Sequence, residues 1–174
     1  MNQFCTIETA KGPMAISWNQ TFEIAAVALP FSSSRNLKVW LAENWSDKAD
    51  SDALPKPLKK LGLRIQSYFA GKADDFKDVA VDQSAFSEFQ TKVYKELRRV
   101  RTSSTITYGE LGDRVGRQGA VRAVGTCMAK NPCPLIIPCH RVLAANGKVG
   151  SFSAEGGASM KSWMLKMEGA EVRG

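Results

Sequence analysis

Short apolar runs broken by turn-forming residues occupy the chain from Phe4 to Leu29. One run spans Met14–Trp18 and the next spans Phe22–Leu29, and Gly-Pro and Asn-Gln pairs stand on either side of the first. Short runs bounded in this way are typical of hairpin strands. The pattern therefore predicts a small antiparallel sheet at the beginning of the chain.

Helical spacing follows the predicted strands. A helix is predicted from Arg35 to Trp45, and the polar stretch from Ser46 to Pro57 is predicted to be a loop because two prolines close it. Apolar residues then recur at helical spacing, and a glycine stands where the last turn would end: Leu58, Leu61, Ile65, Phe69 and Gly71. The acidic stretch from Ala73 to Gln83 is the predicted linker between an N-terminal lobe, residues 1–82, and a C-terminal lobe, residues 83–174.

Two capping boxes predict the starts of helices in the C-terminal lobe. Ser87 with Gln90 precedes the first of them. Its apolar face would be Phe89, Val93, Leu97 and Val100. Thr107 with Glu110 opens a second, short helix that should stop at Gly116.

A further helix is predicted over 120–130, after the turn Arg117-Gln118-Gly119. Two short helices across a glycine-containing turn of this length predict a helix-turn-helix. The core face of the second helix would hold Val121, Val124 and Met128, and its outer face Arg122, Ala123, Thr126 and Ala129. An ordinary amphipathic helix that binds nothing is the alternative. The predicted fold class is α+β, with a sheet-containing lobe before a mostly helical one.

Charge adds one indication to this picture. The chain carries 24 Lys and Arg against 17 Asp and Glu, a net charge of +7, which suits a polyanionic partner but is also common among soluble proteins. A basic cluster ends the first helix of the C-terminal lobe: Arg98, Arg99 and Arg101. A solvated helix end, with cations near the negative end of the helix dipole, is the preferred interpretation of that cluster over a phosphate contact.

Several classes of protein are not supported by the sequence. No signal peptide and no membrane-spanning stretch is indicated, so a cytoplasmic protein is expected, nucleoid-associated if bacterial. The four cysteines are too few for a disulfide scaffold and are expected to be free thiols. His140 is the only histidine and no Cys-x-x-Cys pair occurs, so no metal site and no cofactor are predicted.

The segment Asn131–Val142 carries the clearest chemistry. Its three prolines forbid a regular helix, while a Leu-Ile-Ile block favours burial. The segment is expected to deliver Cys139 and the adjacent His140 into a cleft. A thiolate is a nucleophile, and a nearby imidazole or helix end can lower the pKa of the thiol. A lone buried cysteine is, however, more often inert packing.

Six motifs together carry a family resemblance, in chain order Tyr68–Lys72, Thr107–Leu111, Arg122–Gly125, Asn131–Pro134, Pro138–Val142 and Leu165–Gly169. Read as Tyr-Phe-Ala-Gly-Lys, Thr-Tyr-Gly-Glu-Leu, Arg-Ala-Val-Gly, Asn-Pro-x-Pro, Pro-Cys-His-Arg-Val and Leu-x-x-Glu-Gly, they resemble the O6-alkylguanine-DNA alkyltransferases, also called methylated-DNA–protein-cysteine methyltransferases. The resemblance is strong from about Arg64 to Gly169, and before Pro57 it is only architectural.

The resemblance implies a set of catalytic roles. Cys139 would accept the alkyl group irreversibly as a thioether, His140 would activate the thiol and Glu168 would orient the imidazole. Asn131 would hold the turn before the active site, and Tyr108 would donate to guanine N3 as the base leaves. From the residues alone, Glu168 could equally be a surface carboxylate, Asn131 a helix cap and Tyr108 a packing residue.

The resemblance also implies how DNA and the damaged base are bound. Arg122 would fill the stack after the nucleotide is rotated out of the duplex. Further DNA contacts are expected from Tyr108, Gly109, Arg117, Ala123 and Ala145. The pocket for the base would be formed by Met128, Pro134, Val142, Phe152 and Ser153. The implied partner is double-stranded DNA carrying O6-alkylguanine, with O4-alkylthymine as a further substrate and the protein as a monomer.

The sequence departs from the family pattern around the expected closing loop, Gly147–Gly157. Phe152 stands where many relatives carry Tyr, and the stretch Ser151–Ser159 is interpreted as longer and richer in glycine than in mammalian members. Cys127 and Cys133 match no catalytic position and are interpreted as packing residues.

Two other functions remain as alternatives at this point. A non-enzymatic lesion sensor of the alkyltransferase-like type replaces the acceptor cysteine, typically with Trp, whereas Cys139 is intact here. A Cys-His hydrolase would turn over and would need an oxyanion hole, and it accounts for neither the helix-turn-helix nor Arg122. The intact cysteine favours the suicidal transferase.

Overall fold

The structure is a computed structural model that describes residues 1–171. Its strands are β1 (Gln3–Thr9), β2 (Gly12–Trp18), β3 (Ile24–Ala28), β4 (Ala49–Asp50), β5 (Ile106–Thr107) and β6 (Val142–Leu143). Its helices are α1 (Ser34–Asn44), α2 (Lys56–Phe69), α3 (Glu88–Leu97), α4 (Tyr108–Arg114), α5 (Val121–Ala129) and α6 (Gly157–Met167). The predicted α+β class is confirmed.

A four-stranded sheet in the order β3-β2-β1-β4 forms the first part of the molecule. β1 and β2 make the predicted hairpin, with Gln3 opposite Trp18, and β3 continues the antiparallel pairing with a bulge near Trp18. The prediction of an uninterrupted loop from Ser46 to Pro57 is wrong in part, because β4 pairs there in parallel with β1. β4 is only two residues long and pairs with a distant strand, so it shows no alternating apolar pattern that could be recognised in the sequence.

Both capping boxes are present. The hydroxyls of Ser87 and Thr107 accept from the backbone N–H three residues on, each at 3.2 Å. Gln90 and Glu110 complete the boxes by accepting from the capping residues' own N–H at 2.9 and 2.7 Å. Each satisfied donor removes an unpaired group from a helix start, which fixes where α3 and α4 begin.

The core face predicted for α5 is wrong at one position. Val121 is 49% exposed, whereas Val124 and Met128 are buried as expected and are joined by Cys127. Val121 lies in the first turn of α5, and its Cγ2 faces Gly109. A Cβ at position 109 would lie 4.0 Å from this Cγ2, in van der Waals contact, but glycine has none. Val121 therefore has no side chain to pack against at this position.

The predicted linker is fixed to both halves of the chain. Arg64 of α2 forms bidentate hydrogen bonds with Asp74 and Asp78 at 2.8–2.9 Å. Arg98, at the end of α3, donates to three backbone carbonyls between Phe76 and Val79 at 2.7–3.1 Å. The solvated interpretation of the basic cluster is therefore wrong for Arg98, which ties the linker to α3.

One large apolar cluster includes residues from both halves of the chain. It contains Ile7 and Ile16 of the sheet, Ile65 of α2, and Ile137 and Met164 from the last third. A smaller cluster lies between the sheet and α1 and includes Phe31 and Trp45. Residues that flank Cys139 are thus packed against the sheet, which gives the segment around the thiol a rigid support.

Candidate active site

Cys139 lies in a single 3-10 turn, Cys139–Arg141, at the end of the proline-rich segment. Its backbone N–H donates to the Ile137 carbonyl at 2.8 Å. Asn131 braces the segment, because its Nδ2 donates to the same carbonyl at 2.8 Å and its Oδ1 accepts from the Cys133 N–H at 3.0 Å. Cys139 is only 6% exposed. The thiol is therefore held in a fixed and largely buried position.

A short parallel strand pair brings the helix-turn-helix next to this turn. β5 pairs with β6 so that Ile106 lies opposite Val142, directly after the turn that carries Cys139. α4 begins immediately after β5. Tyr108, its first residue, and Cys139 consequently line the same cavity of about 240 Å³, which we call the reaction pocket.

The reaction pocket contains most, but not all, of the predicted base-binding residues. Its lining is Tyr108, Gly125, Met128, Ala129, Cys139, Ser151, Phe152, Ser153 and Lys161. Pro134 instead lines a neighbouring cavity, and Val142 is fully buried, so a base-binding role for these two residues stays a prediction. Burial raises the pKa of the Tyr108 phenol, and the nearby Cys139 raises it further. Tyr108 therefore presents a protonated hydroxyl, a hydrogen-bond donor.

His140 and Glu168 form a buried pair beside the thiol. The imidazole Nε2 lies 2.9 Å from Glu168 Oε1, and both side chains are fully buried. Glu168 follows the last turn of α6, 28 residues after His140. The predicted alternative, a surface carboxylate, is thereby excluded.

Two further side chains hold Glu168, and neither was assigned a role from the sequence. Arg141 donates from Nε to Oε2 and from Nη2 to Oε1, both at 2.9 Å, and Tyr68 of α2 donates to Oε1 at 2.7 Å. Burial opposes ionisation of Glu168, but the hydrogen bonds from His140 and Arg141 outweigh it and lower the pKa of the carboxyl to about 2. Glu168 is therefore a carboxylate at neutral pH.

The pairing fixes the state of the imidazole. Burial lowers the pKa of His140 and exceeds the opposing effect of Glu168, so the ring is neutral at pH 7. An ionised carboxylate can only accept, so Nε2 must carry the ring proton and Nδ1 keeps a lone pair. Nδ1 is buried and has no hydrogen-bond partner among residues 1–171. His140, the residue after Cys139, thus keeps one ring nitrogen, Nδ1, that can accept a proton.

Neighbouring groups lower the pKa of the Cys139 thiol, but by less than burial raises it. Burial raises the pKa of Cys139, and the hydrogen bond with Asn131 and the positive charge of Lys161 only reduce this effect. A thiol with a raised pKa is protonated at neutral pH. It needs a base at the moment of reaction, and the lone pair on His140 suits that role.

Lys161 is a site residue that sequence reasoning missed. Its side chain is 1% exposed, its Nζ donates to the Val142 carbonyl at 2.7 Å, and burial lowers its pKa to about 8. A signal was present, since Lys161 precedes Glu168 by two helical turns and so lies on the same face of α6. Lys161 places a positive charge at the wall of the reaction pocket.

The predicted DNA-contacting residues lie around the helix-turn-helix. Arg122 and Arg117 are exposed, Gly109 and Ala123 are half-buried, and Ala145 is exposed after β6. The guanidinium of Arg117 stands 5.0 Å from the centre of the Phe89 ring. Arg122 is the long basic side chain of the first turn of α5, the helix whose Met128 lines the reaction pocket.

Two of the three other cysteines, Cys127 and Cys133, are embedded in the core near the active-site segment. Cys127 and Cys133 are buried free thiols whose pKa values are raised by burial, and the Cys133 Sγ lies 3.5 Å from the Ile24 carbonyl. Across residues 1–171, no three His, Cys, Asp or Glu side chains are grouped as metal ligands. In the same part of the chain, no helix has the length and apolar character needed to span a membrane.

Comparison with known protein families and sequences gives consistent similarities. A family profile described as the DNA-binding domain of 6-O-methylguanine DNA methyltransferase matches residues 88–170. The methylated-DNA–protein-cysteine methyltransferase of Shigella flexneri is 30% identical over 163 residues, which cover 94% of this chain and 93% of that protein. A DNA base-flipping protein of Thermus thermophilus is 38% identical over 120 residues, 67% of this chain and 79% of that protein.

The fold is similar to solved structures over nearly its whole length. A Mycobacterium tuberculosis OGT crystallised in complex with DNA superposes with a TM-score of 0.78 at 27% identity. The similarity covers 96% of this chain and 92% of that one.

Proposed function

The chain belongs to the methylated-DNA–protein-cysteine methyltransferases, which repair DNA by alkyl transfer, and on this premise we propose that Cys139 is the residue that accepts the alkyl group. The observation that carries the proposal is the position of the buried thiol. Cys139 shares the reaction pocket with Tyr108 and directly precedes His140. Glu168 pairs with Nε2 of His140, which leaves the lone pair of Nδ1 free to accept a proton.

The proposed reaction is a single displacement at the alkyl carbon. The Cys139 sulfur forms a bond to that carbon, and the bond between the carbon and guanine O6 breaks. The thiol proton moves toward Nδ1 of His140, and Glu168 stabilises the imidazolium that forms. The departing guanine takes a proton from the Tyr108 hydroxyl, which is later restored. In sum, the thiol hydrogen replaces the alkyl group on guanine, and a stable thioether remains.

DNA is the partner of this family, and we propose that the specific ligand is duplex DNA carrying O6-alkylguanine, with O4-alkylthymine as a second substrate. A base inside a duplex cannot reach a thiol that is 6% exposed, so the nucleotide must be rotated out of the stack. Arg122 is proposed to fill the gap. Arg117, Gly109, Ala123 and Ala145 are proposed to contact the backbone around it. The protein is proposed to act as a monomer on nucleoid DNA.

A lesion sensor without chemistry is the alternative, and it is not favoured. Such a protein needs the base pocket but no nucleophile, whereas here a thiol lies in the pocket beside a neutral base and a fixed carboxylate. Substitution of that thiol would be the signature of a sensor, and Cys139 is present.

The test is a measurement of stoichiometry. Incubation with excess duplex containing labelled O6-methylguanine should leave about one methyl group per protein molecule, on Cys139, because the nucleophile is consumed. Intact-protein mass and peptide mapping would locate it. Cys139→Ser should bind the duplex without reacting, whereas the matched control Cys127→Ser, near the pocket but buried in the core, should react normally. Sustained turnover, or label on Cys133, would overturn the proposal.

A further inference from the structure

A cavity of about 600 Å³ lies between α3 and the linker and has no place in the mechanism above. We call it the basic pocket. Its walls come from the linker stretch 77–83, from α3 and from the residues just after that helix. Within the described range 1–171, none of the residues that we assign to the reaction or to DNA contact lines it. The basic cluster at the end of α3 therefore lines a concave space that is separate from the reaction pocket.

Positive charge dominates the basic pocket. Its cationic lining residues are Lys77, Lys95, Arg98, Arg99 and Arg101. No carboxylate lines it among residues 1–171. Nearby, Glu96 pairs with Arg99 at 2.8 Å and Asp75 lies 3.5 Å from Lys77. The other three cations are in none of the ion pairs formed among the described residues, so the pocket favours an anionic occupant.

Arg98 strengthens the case for an anion. Its side chain is half-buried, and its Nη2 donates to linker carbonyls at 2.7–3.1 Å. Burial lowers the pKa of Arg98, because it removes water from the charge. Carbonyl groups satisfy a donor without neutralising the guanidinium. A phosphate in the basic pocket would neutralise it, and it would accept from the guanidinium in a charge-assisted hydrogen bond.

The rest of the lining is apolar and partly aromatic. The ring centres of Phe86 and Tyr94 lie 5.0 Å apart in an edge-to-face contact, and Phe86 is only half-buried. The buried side chains of Val81 and Ile137 continue this apolar surface. An accessible aromatic ring is a stacking surface for a nucleobase. Cations beside such a ring suit a ligand that combines a planar base with several negative charges.

We propose that the basic pocket binds a free nucleoside triphosphate, with the base on Phe86 and the phosphates on Lys95, Arg98 and Arg101. Its volume of about 600 Å³ lies in the range of roughly 300–1,000 Å³ that small-molecule sites occupy. The bases of a duplex are stacked inside it and cannot reach Phe86, so duplex DNA would use only the cations. The inference goes beyond alkyl transfer and does not depend on it.

The experiment is isothermal titration calorimetry of the full chain with ATP or inorganic triphosphate, at one salt concentration and without divalent cations. The pocket variant is Lys95→Ala/Arg101→Ala, which removes two exposed cations. The matched control is Lys38→Ala/Lys59→Ala, which removes the same charge from exposed positions on α1 and α2. Phe86→Leu removes the ring and keeps an apolar side chain.

Wild type should bind ATP at least about tenfold more tightly than inorganic triphosphate, because only ATP gains base stacking. The pocket variant should bind ATP about tenfold more weakly, since it lacks two charged donors, while the control keeps the wild-type affinity. Phe86→Leu should lose the preference for ATP over triphosphate.

Three results would overturn the inference: no ATP binding by the wild type, equal weakening in the pocket and control variants, or equal affinity for triphosphate and ATP. Saturation with undamaged duplex DNA should leave ATP bound. Displacement of ATP by the duplex would assign the cations to the DNA-binding surface and would also overturn the inference. Methyl transfer to Cys139 is measured separately, and its failure in the wild type would refute the proposed function without affecting this site.

Discussion

Tyr68→Phe is the substitution that most directly tests whether the N-terminal half of the chain supports the chemistry. The Tyr68 hydroxyl of α2 donates to Glu168 Oε1 at 2.7 Å across a sequence separation of 100 residues. Tyr68 is fully buried and Glu168 is 5% exposed. The substitution removes one oxygen atom and leaves the ring, with its edge-to-face contact to Phe69, in place.

The expected loss of stability follows from the charge of the acceptor. A hydrogen bond to a charged group contributes about 1.5–3 kcal/mol, against about 0.5–1.5 kcal/mol for a neutral pair. Oε1 keeps two other donors, His140 and Arg141, so the carboxylate is not left unpaired and the lower end of the range applies. We expect Tyr68→Phe to lower the free energy of unfolding by about 1.5 kcal/mol.

The chain offers a matched control in Tyr94→Phe. The Tyr94 hydroxyl donates to the Cys127 carbonyl at the same distance of 2.7 Å, and it is also buried, but its acceptor is neutral and lies outside the His140–Glu168 network. Urea unfolding should show a smaller loss of stability for this variant, about 1 kcal/mol.

The kinetic assay separates the two tyrosines. Inactivation by O6-benzylguanine should be about threefold to tenfold slower in Tyr68→Phe, because a less firmly held Glu168 positions His140 less precisely. Tyr94→Phe should react at the wild-type rate. If Tyr68→Phe loses stability but reacts at the wild-type rate, Tyr68 contributes to stability alone. The proposed link between α2 and the reaction is then refuted.

Three further outcomes are expected. Arg122→Ala should slow repair of duplex DNA about tenfold and leave the reaction with free O6-benzylguanine unchanged, because a nucleotide is rotated out only from DNA. Tyr108→Phe should slow both reactions. Rates are compared at one salt concentration, and Arg114→Ala, at an exposed position, is the control for the lost charge. The transfer rate should stay constant as the pH falls through 6.5, the ordinary pKa of histidine, because burial lowers the pKa of His140. A decline centred at pH 6.5 in a pH–rate profile would contradict a buried neutral base. Glu168, with a pKa lowered from 4.5 to about 2, should contribute stability that is complete above pH 4.5 and is lost as the pH falls toward 2. The free energies of unfolding in urea of wild type and Glu168→Gln should therefore converge between pH 4.5 and 2. A constant difference between them would contradict the assignment.

Local signals in the sequence predicted local structure well. The capping boxes at Ser87 and Thr107 are complete within four residues, and both helices begin where those residues require. Gly71 follows the C-cap of α2 with a φ of +106°, a conformation that suits glycine. Such features depend on neighbours in the chain, so a pattern of a few residues contains the information that determines them.

Features that depend on distant partners could not be predicted. Arg98 looks like a solvated helix end until the carbonyls of the linker come within its reach. The role of Tyr68 becomes visible only when α2 meets Glu168, which lies 100 residues further along the chain. The roles of Cys139 and His140 themselves came from the family resemblance, since a Cys-His pair by itself does not distinguish packing from chemistry.

The hydrogen bond from Tyr68 to Glu168 also bears on the order of folding. Its partners are 100 residues apart, and the contact between Ser32 and Glu155, at 2.6 Å, spans 123. Closing loops of that length costs conformational entropy before any contact is gained, which makes such contacts slow to form. Helices α3 to α5 can assemble from near neighbours, but the His140–Glu168 pair is fully held only after α2 has met the end of α6. We therefore expect a refolding chain to regain helical circular dichroism earlier than it regains reactivity toward O6-benzylguanine.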